Sequence, residues 1–177
     1  MNYWEKIFKS EGKVFLKPEK ETANFFKIIK KTGVKKVLDL GCGSGRHVVL
    51  LSKKGFQTYG FDVSLQGLKI TRQWLKELGL KAHLKLASCY EKFPYENDFF
   101  DAIISTHVIH HNYHDRVRFC ISEIERVLKP GGIIFIMIAG RKKKSVSANS
   151  KIIGPRLYVP IEGREEGVIH YIYNKKI

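Results

Sequence analysis

Residues Val37-Leu38-Asp39-Leu40 run directly into Gly41-Cys42-Gly43-Ser44-Gly45. A short apolar stretch of strand length thus ends in three alternate glycines, and a stretch of helical period follows. Few folds accommodate that succession. Glycine permits a tight turn and lets a ligand approach the backbone, and the helix beyond it starts with N–H groups that have no intrahelical partner. A strand, a glycine loop and a helix in this order open a nucleotide-type site in an α/β sheet. The plain alternative is a glycine turn that serves close strand–helix packing.

The rest of the chain alternates in the same way. Strands are expected over residues 36–40, 57–62, 81–87, 101–106 and 133–139, the last being the most hydrophobic. Helices are expected over 19–31, 45–54, 64–78 and 115–128. Gly33 and Gly55 end the first two, Ser64 and Gly79 cap the third, and Lys129-Pro130-Gly131-Gly132 stops the fourth. Residues 1–18 read as irregular and aromatic-rich. Strands spaced by helices of this length predict an α/β fold, a doubly wound and mostly parallel sheet. Ligands in such sheets sit outside the carboxyl ends of the strands. The functional residues should therefore follow Leu40, Asp62, Ala87, Thr106 and Ala139.

Two details refine the glycine loop. Its spacing is GxGxG rather than GxGxxG, and Asp39 stands two residues before the first glycine. A carboxylate there suits a ligand that carries a cation better than a pyrophosphate, which it would repel. Asp62 ends the next strand, 23 residues after Asp39. That is the place of a ribose-binding acid, and a carboxylate can accept both ribose hydroxyls. Its alternative role is to complement the dipole of the helix that begins at Ser64.

With these residues in hand the chain resembles the class I S-adenosylmethionine-dependent methyltransferases of small-molecule type. Residues 37–47, 60–64, 99–105 and 123–132 carry the resemblance, in the family's order and spacing, over about residues 20–140. It implies a Rossmann-like sheet of order 3-2-1-4-5, continued by a sixth strand and an antiparallel seventh. The chain stops at Ile177, so the sheet is expected to fall short of those last two strands. An uncovered fifth-strand edge would be an association site, expected to be covered by the chain's own tail or by a partner, such as a second copy in a homodimer. The resemblance further implies S-adenosylmethionine as cofactor and S-adenosylhomocysteine as product. By position, Asp39 and the backbone of Gly41, Cys42, Gly43 and Gly45 would hold the amino acid end. Asp62 would take the ribose and Val63 the adenine face. The family's usual acid after the third strand is replaced by Ala87-Ser88-Cys89, which leaves Ser88 and Cys89 for the adenine edge. Thr106 and His107 would lie near the methionine part. No NPPY-like tetrapeptide follows the fourth strand, which argues against the adenine- and glutamine-modifying branch.

Four of the seven histidines, His107, His110, His111 and His114, lie just after the fourth strand. On a helix they would share a face, which is metal-ligand spacing in principle. No cysteine and only Asp115 complete the set, so no metal is assigned. His111 is the candidate general base and His107 the reserve, for acceptors that must lose a proton early. Otherwise the chemistry needs in-line positioning and desolvation more than protein groups.

Charge is the last sequence feature that bears on function. The net charge is +15, and its excess lies at the two ends. Residues 1–36 hold ten Lys against four Glu, and residues 141–177 nine Lys/Arg against three Glu. The chain reads as one methyltransferase domain over 1–177, with a lid over 1–18, a cofactor-binding core over 19–140 and an acceptor-side segment over 141–177. Tyr3, Trp4, Phe8 and Phe15 are candidates to cover the site. The expected acceptor is a small molecule, anionic on the argument of charge. The alternatives are a tRNA or rRNA acceptor met by a basic rim, and a truncated cofactor-binding or regulatory protein without turnover. The three scattered cysteines form no disulfide framework, which favours a reducing, cytoplasmic setting. No apolar run is long enough to span a membrane.

Overall fold

The computed structural model describes residues 2–138 and 150–173. Five parallel strands form the main sheet: β1 (Lys36–Leu40), β2 (Gln57–Asp62), β3 (His83–Leu86), β4 (Phe100–Thr106) and β5 (Leu128–Met137). Their order is β3-β2-β1-β4-β5, as the resemblance implied. Helices α2 (Thr22–Lys31), α3 (Arg46–Lys53), α4 (Leu65–Glu77) and α5 (His114–Val127) flank it. Alternate residues of the central strands serve the two faces, as the pleat dictates. Leu38 and Ile103 join Phe61, Phe93 and Ile124 on one side, while Val37 and Ile104 join Phe25, Ile29 and Leu51 on the other.

Three expectations need correction. Residues 1–18 are not irregular throughout, because α1 (Tyr3–Glu11) occupies half of them. Asn2 caps it by accepting the Glu5 N–H at 2.8 Å, so Asn2-x-x-Glu5 was a legible helix start. Lys129-Pro130-Gly131-Gly132 does not separate α5 from the last parallel strand. β5 begins at once at Leu128, pairs with Phe100, and bulges before Ile133 pairs with Ala102. Finally, the C-terminal strands do not cover β5. β6 (Ser150–Gly154), β7 (Leu157–Pro160) and β8 (His170–Tyr171) form their own antiparallel sheet. Among the described residues nothing pairs with the outer edge of β5, where Ile134 and Ile136 remain 44% and 37% exposed. The Arg141–Lys144 run and the end of the expected strand at Ala139 lie outside the described residues.

α1 is fixed across the start of α4. Glu5 Oε2 accepts the Ser64 hydroxyl at 2.7 Å and the Gln66 N–H at 3.0 Å, and Asn2 Nδ2 donates to Val63 O at 2.9 Å. Glu5→Ala removes both acceptor bonds, so amide exchange across residues 3–11 should accelerate while that of β1 and β4 stays unchanged. Equal protection of α1 in both proteins would show that the Asn2 bond to Val63 and the packing of Phe8 hold it without Glu5.

Candidate active site

The glycine loop is built by backbone bonds. Gly41 and Cys42 both donate their N–H to Phe61 O at 3.0 Å, and Gly45 donates to Cys42 O at 2.9 Å. Gly41 has φ +71°, and a side chain there would place Cβ 2.4 Å from Val108 Cγ2. Glycine is therefore required on both conformational and steric grounds. Gly43 N–H donates to Asp62 Oδ2 at 2.8 Å, and Ser64 N–H to Asp62 Oδ1 at 2.8 Å. Asp62 thus ties the loop to the start of α4, and each of its oxygens keeps acceptor capacity for a ligand.

Above the loop lies a cavity of about 570 Å³, within the roughly 300–1,000 Å³ of small-molecule sites. Gly41, Cys42, Gly43, Asp62 and Val63 line it, as do Ser88, Cys89, Thr106, His107 and His111. Asp39 and Gly45 are not among its lining residues. Asp39 is buried beneath the loop, with one oxygen 3.9 Å from His47 Nδ1 and the other without a partner. Burial raises the Asp39 carboxyl to about 7 and lowers His47 to about 3. Gly45 faces Thr71 instead. The charged groups that do reach the cavity near Thr106 are Arg46 and Glu19, neither of which was expected from the sequence. Arg46 donates to Thr106 Oγ1 at 2.9 Å and to Glu19 Oε1 at 3.0 Å. Arg46 was findable as the first helical residue after the loop; Glu19 carried no signal.

On the other side, Ser88 Oγ accepts the Tyr90 N–H at 3.1 Å. Cys89 is buried, and the neighbouring Cys120 thiol and desolvation hold its own thiol well above the ordinary range. All three cysteines are buried and free. Tyr3, Trp4, Phe8 and Phe15 line the cavity as anticipated, and Glu165, Val168 and Ile169 close it from the side of β8. β8 is held there by Tyr171 N–H donating to His110 O at 2.7 Å.

The histidines do not share a helix face. Residues 107–113 form turns, with His107 at φ +59°. His114 begins α5 and pairs with Asp115 at 3.5 Å. His107 Nε2 lies 3.7 Å from Glu19 Oε1 at the cavity wall. The rings of His110 and His111 adjoin, with centroids 4.0 Å apart, and His170 joins them from β8. His111 Nε2 is 2.8 Å from His107 O, and burial lowers its pKa to about 3. A ring so deprotonated and enclosed is a weak proton acceptor at neutral pH. Burial lowers the more exposed His107 as well, while the nearby Glu19 carboxylate opposes that shift.

A parallel sheet of this order, with a loop and acid converging on one covered cavity, is the architecture of the class I methyltransferases. Residues 38–136 match the family described as methyltransferase domain, and the chain belongs to that family. It is 32% identical over 116 residues to a tRNA (carboxymethyluridine(34)-5-O)-methyltransferase of Arabidopsis thaliana, covering 65% of this chain and 26% of that one. It is 30% identical over 113 residues to a ubiquinone biosynthesis O-methyltransferase of Azoarcus sp., covering 63% and 47%. The chain therefore spans less than half the length of either curated relative. Among solved structures, the PH0226 protein of Pyrococcus horikoshii superposes with a TM-score of 0.70 at 21% identity, covering 99% of this chain and 85% of that one. Among the described residues no helix is long and apolar enough to cross a membrane.

Proposed function

We propose that the chain is an S-adenosylmethionine-dependent methyltransferase acting on a small acceptor, with the whole described chain as one domain. The observation that carries this reading is the cavity in which the glycine loop, Asp62, Arg46, the aromatic lid and the β8 segment meet. The residues fit the cofactor. Asp62 has lone pairs for the ribose hydroxyls, Val63 and Phe61 offer apolar surface to the adenine, and Ser88 an acceptor to its amine. Arg46 and Glu19 offer opposite charges to the amino acid end. Asp39 lies beneath the loop and supports it from outside the cavity.

When bound, S-adenosylmethionine supplies an electrophilic methyl on a sulfonium sulfur. The residues of this chain orient and desolvate. Trp4, Phe8 and Val168 exclude water from the reacting centre. Thr106 and His107 wall the side where an acceptor would stand, and His107 Nε2 takes the acceptor proton when one must leave. The charged lining is Glu19, Asp62 and Glu165 against Arg46, so the positive excess of the chain does not reach the cavity. The acceptor therefore needs no negative charge.

A second reading has its own support. One curated relative is named as a tRNA methyltransferase, and residues 1–36, which include the lid, carry a basic excess. Incubation with methyl-labelled cofactor, phenolic and carboxylic small molecules in one series and unmodified tRNA in the other, separates them. Label in small molecules supports the first reading. Label in tRNA, with affinity falling steeply as salt rises, replaces it by the second. Cofactor binding without transfer to either overturns both in favour of a binding protein.

A further inference from the structure

His110, His111 and His170 each bring one imidazole nitrogen to within 4.8 Å of the others. They come from the turn after β4 and from β8, two stretches far apart in sequence. His110 and His170 are each 2% exposed. Three nitrogens of the cluster, Nδ1 of each ring, are buried without a hydrogen-bond partner, and His170 Nε2 meets only the Glu165 carboxylate, at 3.3 Å. Buried polar groups left unsatisfied in this way are costly. A shared electron-pair acceptor at the centre of the cluster would satisfy several at once.

The tautomer of His111 is already set for that. Its Nε2 faces the His107 carbonyl oxygen at 2.8 Å. A carbonyl only accepts, so Nε2 carries the proton and Nδ1 keeps its lone pair. Metal-bound histidines are held in this way, the far ring N–H donating to a carbonyl or carboxylate. Beside His170 stands a carboxylate, Glu165 Oε2, at 3.3 Å from Nε2. Burial in this cluster disfavours the charged forms of all three rings. Around zinc, with Zn–N of roughly 2.0–2.1 Å, tetrahedral nitrogens lie ~3.3 Å apart. The three candidate ligand nitrogens already lie within 4.8 Å of one another without an ion.

We propose that His110, His111 and His170 form a three-imidazole site for a divalent transition-metal ion, zinc first, on the β8 side of the cavity. Three imidazoles and no thiolate suit zinc and its neighbours rather than magnesium or calcium. The site uses none of the residues assigned to the cofactor. His111 also lines the cavity, so an open coordination position on that side would take an oxygen ligand from water or acceptor. Only this last point rests on the methyltransferase reading.

The test is metal binding by the purified, chelator-treated protein, titrated calorimetrically with zinc chloride. One equivalent should bind. Cobalt(II) in its place should give the visible absorption of a tetrahedral complex. Zinc should raise the melting temperature by joining the turn after β4 to β8. His170→Ala and His170→Gln should each weaken zinc by more than the roughly 10–100-fold that loss of an outer-shell partner causes, and abolish the thermal shift. His114→Ala, outside the cluster, should change neither. S-adenosylhomocysteine binding by the His170 variants reports that they are folded, independently of the metal. No zinc binding by the folded wild-type protein, or binding unchanged in both His170 variants, would overturn the site.

Discussion

Asp62→Asn should weaken S-adenosylhomocysteine binding roughly ten- to hundred-fold, the equivalent of losing about 1–3 kcal/mol of hydrogen bonding to a charged acceptor. The substitution puts an amide N–H₂ against one of two backbone donors, Gly43 N–H or Ser64 N–H. It therefore loosens the loop as well as removing a ribose acceptor. The pH dependence adds a second signature. Burial raises the Asp62 carboxyl to about 6 from its ordinary 3.8. A raised native pKa means that the protonated form suits the empty fold. The associated stability is present below the unfolded value and is lost as pH rises through about 6. Ligand binding has the opposite sign, since the ionised carboxylate is the stronger acceptor. Wild-type affinity should rise between about pH 5 and 7 while the unliganded protein loses the Asp62 contribution to stability. Calorimetry across that range checks it. Wild-type affinity and the same slope in the Asp62→Asn variant would remove Asp62 from the ribose site.

Gly41→Ala should be the most disruptive glycine-to-alanine change among the described residues. The left-handed backbone at φ +71° costs an L-residue roughly 1–2 kcal/mol. Its Cβ would also stand 2.4 and 2.6 Å from the two Val108 methyls, and such overpacking costs typically about 1–3 kcal/mol. For a chain of this size each kcal/mol moves the melting temperature by roughly 2–4 °C, so a fall of about 10 °C is expected. Pairing it with Val108→Ala removes the two methyl contacts but keeps Val108 Cβ at 3.0 Å and leaves the backbone as it was. The double variant should regain part of the loss, and the unrecovered part sets an upper bound on the backbone cost. Full recovery would mean that the positive φ at Gly41 is free to relax.

What the sequence made legible follows from what is local. β1 and its glycines, the Ser64 cap of α4 and Asp62 are defined by contacts within a few residues or between adjacent strands. Their placement was readable from pattern alone. That Asp39 is buried outside the cavity lining was not legible, because its distance from the glycines says nothing about which side of the loop it faces. The condition for a shared histidine face, a helix over 107–114, is not met, since His107 adopts φ +59° and residues 107–113 are not helical. His170 could not be joined to His110 and His111 from spacing, since the pairing depends on how β8 returns to the post-β4 turn. Arg46 and Glu19 illustrate the same limit. Their partnership crosses 27 residues and appears only once α3 is set against the segment before α2.

The cavity is walled at once by residues 2–15 and by residues 165–169, and Arg164 joins these stretches through Glu11 at 2.8 Å and over the Phe15 ring at 5.1 Å. A ligand held there bridges stretches of polypeptide about as distant along the described chain as any two can be. Such pairings carry the largest loop-closure entropy, and occupancy adds its binding free energy to the docked arrangement of both segments. Ligand capture and the final docking of both segments are then one equilibrium. Protease sensitivity of the two should decline together, at the same ligand concentration, while the sheet between them is unaffected.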